Sequence, residues 1–248
     1  MVSTVFVEKQ YLFLMKIKSK EGRCGPLRND NTLIAMKNKK AAKAFLFDFD
    51  GTLVDTMGGY ADIAATLISS RFSDISFDTA RMLYLETSGI PFFQQLEIIL
   101  PGHRGNGELA AVFEKEKQKG LFAADFSDDA RLAINELRKK GCLVGISSNN
   151  FQEMVDRFTA DHKLEFDTVM GFAPGFEKGK DHFDKFCRDF NLLPDDVLFV
   201  GDSLKDAEKA MTNNVSFIGL TGIFSSEDFK RAIQEVDVID SLIELLEI

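Results

Sequence analysis

Two aspartates separated by one residue, Asp48 and Asp50, follow a short apolar run in the stretch AFLFDFDGTLVDT, residues 44–56. Placing unpaired carboxylates beside apolar residues costs free energy, so the pair is expected to serve a chemical purpose. Side chains at positions i and i+2 of an extended strand point to the same side, so both carboxylates could act on one bound group. We expect the nearby Asp55 and Thr56 to cap the following helix instead.

More polar side chains follow other apolar runs. Hydroxyl and amide groups lie in SSNN (147–150), charged groups lie in the loop with Glu177, Lys178 and Lys180, and two carboxylates lie in GDSLKD (201–206). Because ligands bind at the carboxyl ends of parallel strands, we expect these groups to form one acidic pocket. Several carboxylates in one pocket cannot all stay ionised without a cation. Oxygen ligands of this kind suit Mg²⁺.

The elements that must position these groups alternate along the chain. Nearly continuous apolar runs of strand length occur at residues 44–47, 142–147, 166–171, 197–201 and 215–220. Helical patterns lie between them, most clearly at 128–141 and 203–214. Apolar strands separated by helices indicate a parallel sheet that is covered on both faces. The sequence therefore predicts an α/β fold with a doubly wound parallel sheet, a Rossmann-like core.

The interval between the first two strands is far longer than the dozen or so residues that a crossover needs. Apolar residues recur there at helical spacing: Tyr60, Ile63, Ala64, Leu67 and Ile68. FEKEKQKG predicts a solvated helix that ends at Gly120. We predict a small α-helical cap domain at 58–124, with the core domain formed by 41–57 and 125–248. An insert placed directly after the first carboxylates would cover the site.

Charge is distributed unevenly along the chain. Residues 1–40 contain nine basic and three acidic side chains, a net charge of +6, whereas the whole chain carries −9, so residues 41–248 carry −15. An acidic body repels phosphate backbones, which argues against nucleic-acid binding. We expect the basic residues 1–40 to be a loosely ordered extension, and the true start could instead be Met36.

Hydropathy and cysteine usage narrow the class further. No apolar run approaches the roughly 18 residues of a membrane-spanning helix, so no membrane association is expected. Three scattered cysteines, Cys24, Cys142 and Cys187, form no CxxC pair. That pattern argues against a disulfide framework or a structural zinc site and favours a reducing compartment, the cytoplasm.

The motifs resemble the haloacid dehalogenase (HAD) superfamily over residues 44–248. DFDGTLVDT (48–56) matches its first motif, a hydroxyl in GISSNN (145–150) its second, a loop lysine its third and GDSLKD its fourth. The insert is similar to the helical cap of the phosphoglycolate-phosphatase-like subgroup. The resemblance implies a Mg²⁺-dependent phosphatase that hydrolyses a small phosphate monoester, a small phosphorylated metabolite, through an aspartyl-phosphate intermediate.

The resemblance also implies roles for the carboxylates. Asp48 is the expected nucleophile, and Asp50 the expected acid and base that protonates the leaving oxygen and then activates water. Mg²⁺ is expected on Asp48, the backbone carbonyl of Asp50 and Asp202. Asp206 is expected to support the metal shell.

The second motif leaves two hydroxyls open. Both Ser147 and Ser148 end the second predicted strand. The family pattern places the hydroxyl three residues after the strand glycine and just before an asparagine, and Gly145 and Asn149 therefore favour Ser148. By this resemblance, Ser148 and Asn149 are expected to bind the phosphoryl group, and Ser148 also belongs to the expected catalytic set.

The third motif leaves two lysines open, Lys178 and Lys180. The family commonly has a Lys-Pro pair, which this sequence lacks. Counting back from the fourth motif favours Lys178, whereas counting forward to Phe183 in the following helix favours Lys180. We predict that Lys180 is the catalytic and phosphate-binding cation and that Lys178 is a surface charge.

Asp50 also separates the branches of the family. Haloalkanoate dehalogenases and phosphonate-cleaving members lack this second aspartate, so neither activity is expected. A sugar-phosphate mutase and a non-catalytic phosphate-binding regulatory relative stay open as alternatives. The sequence offers no prediction of the oligomeric state.

Substrate choice is expected to depend on the cap. Gly89 and Pro91 are expected to shape a turn that faces the active site. His103 and Arg104, in the loop 101–105, could bind a substrate carboxylate or a second phosphate. We favour the alternative that this loop is a solvent-facing connector.

Overall fold

A computed structural model describes residues 42–233 and 236–248. The described residues form a six-stranded, all-parallel sheet with the strand order β3-β2-β1-β4-β5-β6. The strands are β1 Ala44–Phe47, β2 Leu143–Phe151, β3 Thr168–Phe172, β4 Val197–Gly201, β5 Ser216–Leu220 and β6 Asp237–Ile239. The predicted doubly wound α/β fold is confirmed. The expectation for residues 1–40 falls outside the described residues.

The central strand β1 is buried along its whole length, which explains its unbroken apolar sequence. It pairs with β2 on one side and with β4 on the other, and Phe47 lies opposite both Ile146 and Val200. The carboxyl ends of three strands therefore meet at one point of the sheet edge. The three-residue strand β6 was not predicted, because so short a run leaves almost no periodic signal.

Helices cover both faces of the sheet. They are α5 Asp128–Lys139, α6 Gln152–His162, α7 Lys180–Asp189, α8 Leu204–Thr212 and α9 Ser226–Ala232, with 3₁₀ turns at Pro194–Asp196 and Leu242–Glu247. Helix α5 begins where the Ser127 hydroxyl accepts a hydrogen bond from the Ala130 amide at 3.1 Å. One apolar cluster includes residues of α5 and α6, and a second, on the other face, includes residues of α7 and α8.

Residues 57–121, called the insert below, contain four helices in the described structure. They are α1 Met57–Arg71, α2 Phe77–Glu86, α3 Phe92–Ile99 and α4 Asn106–Leu121. Most of their buried apolar side chains form a cluster separate from those of the sheet, whereas Leu121 at the end of α4 packs in a cluster of the sheet. The helix predicted to end at Gly120 is present as α4 and ends one residue later, at Leu121. The expectation that it is solvated is wrong, because one face is buried, with Phe113, Lys117 and Leu121.

In the described part of the chain, no helix is both long enough and apolar enough to cross a membrane.

Candidate active site

Three carboxylates meet at the carboxyl edge of the sheet. Asp48 directly follows β1, and its amide donates to the Val200 carbonyl at 2.8 Å, which ties it to the neighbouring strand. Asp202 directly follows β4, and Asp206 lies in the first turn of α8. All three residues are buried, and an oxygen atom from each lies within 4.8 Å of the others. The sequence predicted this convergence because strands of a parallel sheet end at a common edge.

Lys178 lies among these carboxylates. Its ammonium is 2.7 Å from Oδ1 of Asp48 and 2.6 Å from Oδ1 of Asp206, and its side chain is only 2% exposed. Burial alone lowers the pKa of Lys178, but Asp206 and Asp48 outweigh burial and raise it, so the lysine stays charged. Asp48, Asp202, Asp206 and Lys178 are called the strand-end cluster below.

The prediction that Lys180 lies in this cluster is wrong. Lys180 is the first residue of α7, its side chain is 70% exposed, and its ammonium pairs with Asp184 one turn further on. The reason is the turn at Gly179, where φ is +117°. That conformation strongly favours glycine. It ends the loop that carries Lys178 inward and starts a helix that carries Lys180 outward.

The charge of the strand-end cluster is unbalanced. Burial raises the pKa of Asp48 to about 7, although Lys178 opposes this shift. Burial, followed by the charges of Asp48 and Asp206, raises the pKa of Asp202 well above its ordinary value. Three carboxylates and one ammonium leave a deficit of two positive charges when all are ionised. The donor set therefore fits a divalent cation, which would restore the ionised forms.

Gly51 permits the close approach of the first loop to Asp202. Its φ is +78°, and a Cβ atom there would lie 2.2 Å from Oδ2 of Asp202. Any other residue would both strain the backbone and displace the carboxylate. The glycine of the first motif is therefore required by the geometry of the fourth.

Asp50 is held by neutral donors. Its Oδ1 accepts a hydrogen bond from the Thr56 hydroxyl at 2.8 Å. Its Oδ2 accepts one from the side-chain amide of Asn150 at 2.9 Å. Thr56 is the N-cap residue of α1, but its side chain makes no capping hydrogen bond, so the expected capping role is wrong for the hydroxyl. The Lys117 ammonium lies 3.7 Å from Oδ2 of Asp50. Asn150 and Lys117 were missed, because neither has a local sequence signal.

The two candidate serines both lie within β2, and they differ in their hydrogen-bond partners. The Ser147 hydroxyl lies 2.8 Å from Nδ1 of His182, and both residues are fully buried. Burial lowers the pKa of His182 to about 3, so this histidine is neutral. The Ser148 hydroxyl accepts a hydrogen bond from the backbone N–H of Asn150 at 3.0 Å, which leaves the hydroxyl proton of Ser148 available to a ligand. These partners favour Ser148 over Ser147 for binding a ligand.

A cavity of about 50 Å³ separates the strand-end cluster from the insert. One water molecule needs roughly 10–15 Å³ of such space, so the cavity suits a small ligand. Its lining on the core side is Asp48, Asp50, Asn149, Lys178 and Asp202. Its lining on the insert side includes Tyr60, Ser88, Gly89, Pro91, Glu114 and Lys117. Neither His103 nor Arg104 lines it; both are exposed, as expected for a connector.

The turn at Gly89 joins the insert to the core beside the cavity. The Gly89 carbonyl accepts hydrogen bonds from the amide of Asn149 and the ammonium of Lys209, each at 3.0 Å. Gly89 has φ +88°, and a Cβ there would lie 2.4 Å from the Ser203 hydroxyl. Asn149, predicted to bind phosphate, therefore also holds the insert in place.

The family model of haloacid dehalogenase-like hydrolases matches residues 45–220. The chain belongs to this family. A haloacid dehalogenase-like hydrolase domain-containing protein of Arabidopsis thaliana is 24% identical over 212 residues, 82% of each chain. The resemblance found in the motifs is thereby confirmed at the level of the family.

Several solved structures have a fold similar to that of this hydrolase. A protein of Lactobacillus delbrueckii subsp. bulgaricus, assigned as a phosphoglycolate phosphatase, has a TM-score of 0.71 and 16% identity, covering 84% of this chain and 98% of that one. A haloacid dehalogenase-like family hydrolase of Streptococcus pneumoniae has a TM-score of 0.70 and 19% identity, with the same coverage. CbbY of Rhodobacter sphaeroides, solved in complex with phosphate, has a TM-score of 0.65 and 16% identity, covering 82% of this chain and 96% of that one.

Proposed function

We propose that this hydrolase is a phosphatase that cleaves a small phosphate monoester through an aspartyl-phosphate on Asp48. One observation carries the proposal: a buried carboxylate at a strand end is held 2.7 Å from a buried ammonium, beneath a small cavity. The fold neighbours described as phosphatases, and the one solved with phosphate, support the same reaction class.

The residues fit a magnesium ion. Asp48, Asp202 and the backbone carbonyl of Asp50 would hold Mg²⁺, and Asp206 would support the shell through Lys178. The ion, when bound, neutralises negative charge on the phosphoryl group and the nucleophile. Lys178 adds a fixed positive charge 2.7 Å from Oδ1 of Asp48. Its ammonium is buried, so solvent screens it weakly.

In this proposal, residues of the chain itself carry out both steps, the formation of the aspartyl-phosphate and its hydrolysis. A carboxylate oxygen of Asp48 attacks phosphorus, the bond from phosphorus to the ester oxygen breaks, and protonated Asp50 gives its proton to the leaving alcohol. Asp50, now a carboxylate, takes a proton from a water molecule, which attacks the same phosphorus. The bond from phosphorus to Asp48 then breaks and releases inorganic phosphate. Thr56 and Asn150 keep Asp50 oriented in both steps.

The domain boundaries belong to this proposal. We assign 41–57 and 125–248 to the core and 58–124 to a helical cap that covers the site. Helices of the insert have their own apolar cluster, which supports a separately packed unit. Cys142 and Cys187 are free thiols, which supports a cytoplasmic location.

The test is phosphate release from a panel of small phosphomonoesters, with Mg²⁺ or with EDTA. We expect release that needs the metal, and Asp48→Asn should reduce kcat by roughly 10⁴-fold or more, as removal of a covalent nucleophile does elsewhere. Asp55→Asn is the matched control, since Asp55 belongs to the same motif but is exposed; it should keep wild-type activity.

Two results would overturn the proposal. One is the absence of phosphate release from any ester by folded protein with Mg²⁺, and the other is equal activity of Asp48→Asn and wild type. Conversion of a sugar monophosphate to its isomer in place of release would favour the mutase alternative.

A further inference from the structure

We propose that residues 11–20 of this chain, YLFLMKIKSK, bind in a groove between the insert and the core, called the α2 groove below. These ten residues lie outside the described part of the chain. The groove is formed by α2 of the insert, the first residue of α8 and the loop 221–225 that joins β5 to α9. The proposal concerns a surface outside the strand-end cluster and does not depend on the phosphatase function.

The α2 groove has an apolar lining that spans the junction of the insert and the core. Its volume is about 520 Å³, within the range of roughly 300–1,000 Å³ that is usual for binding sites. Leu85 of α2 and Ile223 of the core loop both pack against the apolar cluster of the insert. The apolar lining consists of Met82, Leu85, Leu204, Ile223 and Phe224. Met82 is 44% exposed, so an apolar occupant would remove apolar surface from water.

Acidic side chains flank this apolar lining. Asp78, Glu86 and Asp228 line the groove, together with one basic residue, Arg81. Arg81 and Asp228 already have ion-pair partners. Asp78 and Glu86 are exposed, and neither forms an ion pair with any residue of 42–233 or 236–248. The groove therefore favours an occupant that is both apolar and basic.

Residues 11–20 have this composition. Six of these ten residues are apolar, three are lysines and none is acidic. Their net charge of +3 opposes the surplus of negative charge at the groove. Because the whole body of the protein is acidic, charge alone would not select one surface. The apolar lining between the carboxylates supplies that selection, since it can bury the apolar side chains of the segment.

The connecting chain is long enough to reach the α2 groove. Residues 21–41 link the segment to Ala42, where the described structure begins. The groove adjoins the carboxyl edge of the sheet, opposite the edge at which β1 begins, because Leu204 and Ile223 follow β4 and β5. Twenty-one residues span at most roughly 70 Å. A domain of this length is roughly 45 Å across, so the link is sufficient.

An occupant of the α2 groove would contact the insert and the core at once. It would therefore hold the insert against the core beside the loop that carries Asp202. For residues 11–20, this proposal replaces the expectation of a loosely ordered extension.

Oxidation of methionine by dilute hydrogen peroxide tests the proposal in the full chain of 248 residues. Met82 lines the groove, whereas Met211 of α8 does not. Their exposed fractions are 44% and 53%, so the two should be oxidised at similar rates if nothing covers the groove. If the segment binds there, Met82 should be oxidised at least about fivefold more slowly, the factor that corresponds to ~1 kcal/mol. Mass spectrometry of tryptic peptides measures both rates in one sample.

Charge reversal in the segment shows which part of the chain protects Met82. Lys16→Glu combined with Lys18→Glu should abolish the protection, because it gives residues 11–20 the same sign of charge as the groove. Lys39→Glu combined with Lys40→Glu is the matched control. It makes the same change of charge in the same basic region but outside the segment, and it should leave the protection intact.

Charge reversal in the groove completes the comparison. Asp78→Lys combined with Glu86→Lys should also abolish the protection of Met82. Joining these two changes to the reversal of Lys16 and Lys18 should restore it, because opposite charges then face each other again. Thermal unfolding of each variant shows whether the fold is kept.

Three results would overturn the proposal. The first is equal oxidation of Met82 and Met211 in wild type, and the second is protection that survives the reversal of Lys16 and Lys18. The third is protection that weakens when the protein is diluted, which would assign the groove to a second copy of the chain. Since the measurement uses no substrate, failure of the phosphatase assay would leave it unaffected.

Discussion

The two sides of the cavity differ in how completely their polar groups are paired. On the core side, Lys178 contacts two carboxylates within 2.7 Å, and Asp50 accepts hydrogen bonds at both oxygens. On the insert side, the ammonium of Lys117 lies 3.7 Å from its nearest carboxylate oxygen, and the Ser88 hydroxyl has no hydrogen-bond partner in the described residues.

Under the proposed phosphatase function, this difference bears on the roles of the two sides. Groups that transfer a phosphoryl group must be oriented before the substrate arrives, because reorganisation during the reaction would raise the barrier. Groups that recognise the variable part of a substrate gain affinity only if their hydrogen bonds are still free. The core side meets the first requirement and the insert side the second.

Apart from the loss of Asp48, the largest expected effect tests the core side through its two lysines. Lys178→Met should lower kcat by roughly 10²- to 10³-fold, the cost of removing one preorganised donor from a transition state. Lys180→Met should change kcat less than twofold, because Lys180 is exposed and pairs only with Asp184 among the described residues. The measurement is phosphate release at saturating ester and Mg²⁺. The opposite ranking would place Lys180 in the site in solution and contradict the cluster described above.

A second prediction tests the junction between the two sides. Gly89→Ala should lower the free energy of unfolding by about 1–3 kcal/mol from backbone strain alone. It should also raise KM, because the new methyl group overlaps the Ser203 hydroxyl and displaces the cavity wall. Denaturant unfolding and steady-state kinetics measure the two effects. Gly102→Ala is the control: Gly102 also has positive φ, +65°, but no atom lies within 4 Å of its Cβ position. An unchanged KM in Gly89→Ala would show that the turn does not shape the site.

The smallest expected effect concerns Lys209, which holds the same turn from the core. Burial, helped by the charge of Lys178, lowers the pKa of Lys209 from 10.5 to about 8, although Asp206, Asp48 and Glu177 oppose the shift. Between these two pH values the unfolded chain binds more protons than the folded one. This group's contribution to the unfolding free energy therefore rises with pH, by at most ~1.4 kcal/mol per pH unit.

Lys209→Met removes that titration. As pH rises from 7 to 10, the unfolding free energy of wild type should therefore increase relative to that of Lys209→Met. Lys205→Met, on the same helix but at an exposed position, is the control and should show a constant difference. A constant difference for Lys209→Met as well would mean that Lys209 titrates normally in the folded protein.

The core side of the candidate site was largely predictable because its signals are local. Asp48 and Asp50 follow an apolar strand, Asp202 and Asp206 follow another, and parallel strands end at one edge. The sheet itself was predicted from nearly continuous apolar runs, and only the three-residue β6 gave too little signal. Ser148 was favoured over Ser147 by its spacing, and the hydrogen bond of Ser147 to His182 agrees with that choice.

Lys178 and Lys180 show where local signals fail. They are two residues apart in one polar loop, so local composition does not distinguish which of them lies in the strand-end cluster. The backbone at Gly179 turns one inward and the other outward, and that turn depends on how α7 packs against the sheet.

The sequence by itself therefore determined the fold class and the carboxylates at the strand ends, because each follows from periodicity or spacing within a few residues. The resemblance of its motifs also indicated the family. Only the tertiary structure decided which lysine joins them and which insert residues face them. Lys117 lies in a run of charges that looks uniformly solvated, and only the packing of α4 against α1 turns it toward Asp50. Contacts between residues far apart in the chain depend on packing angles, for which a single sequence has no periodic signal.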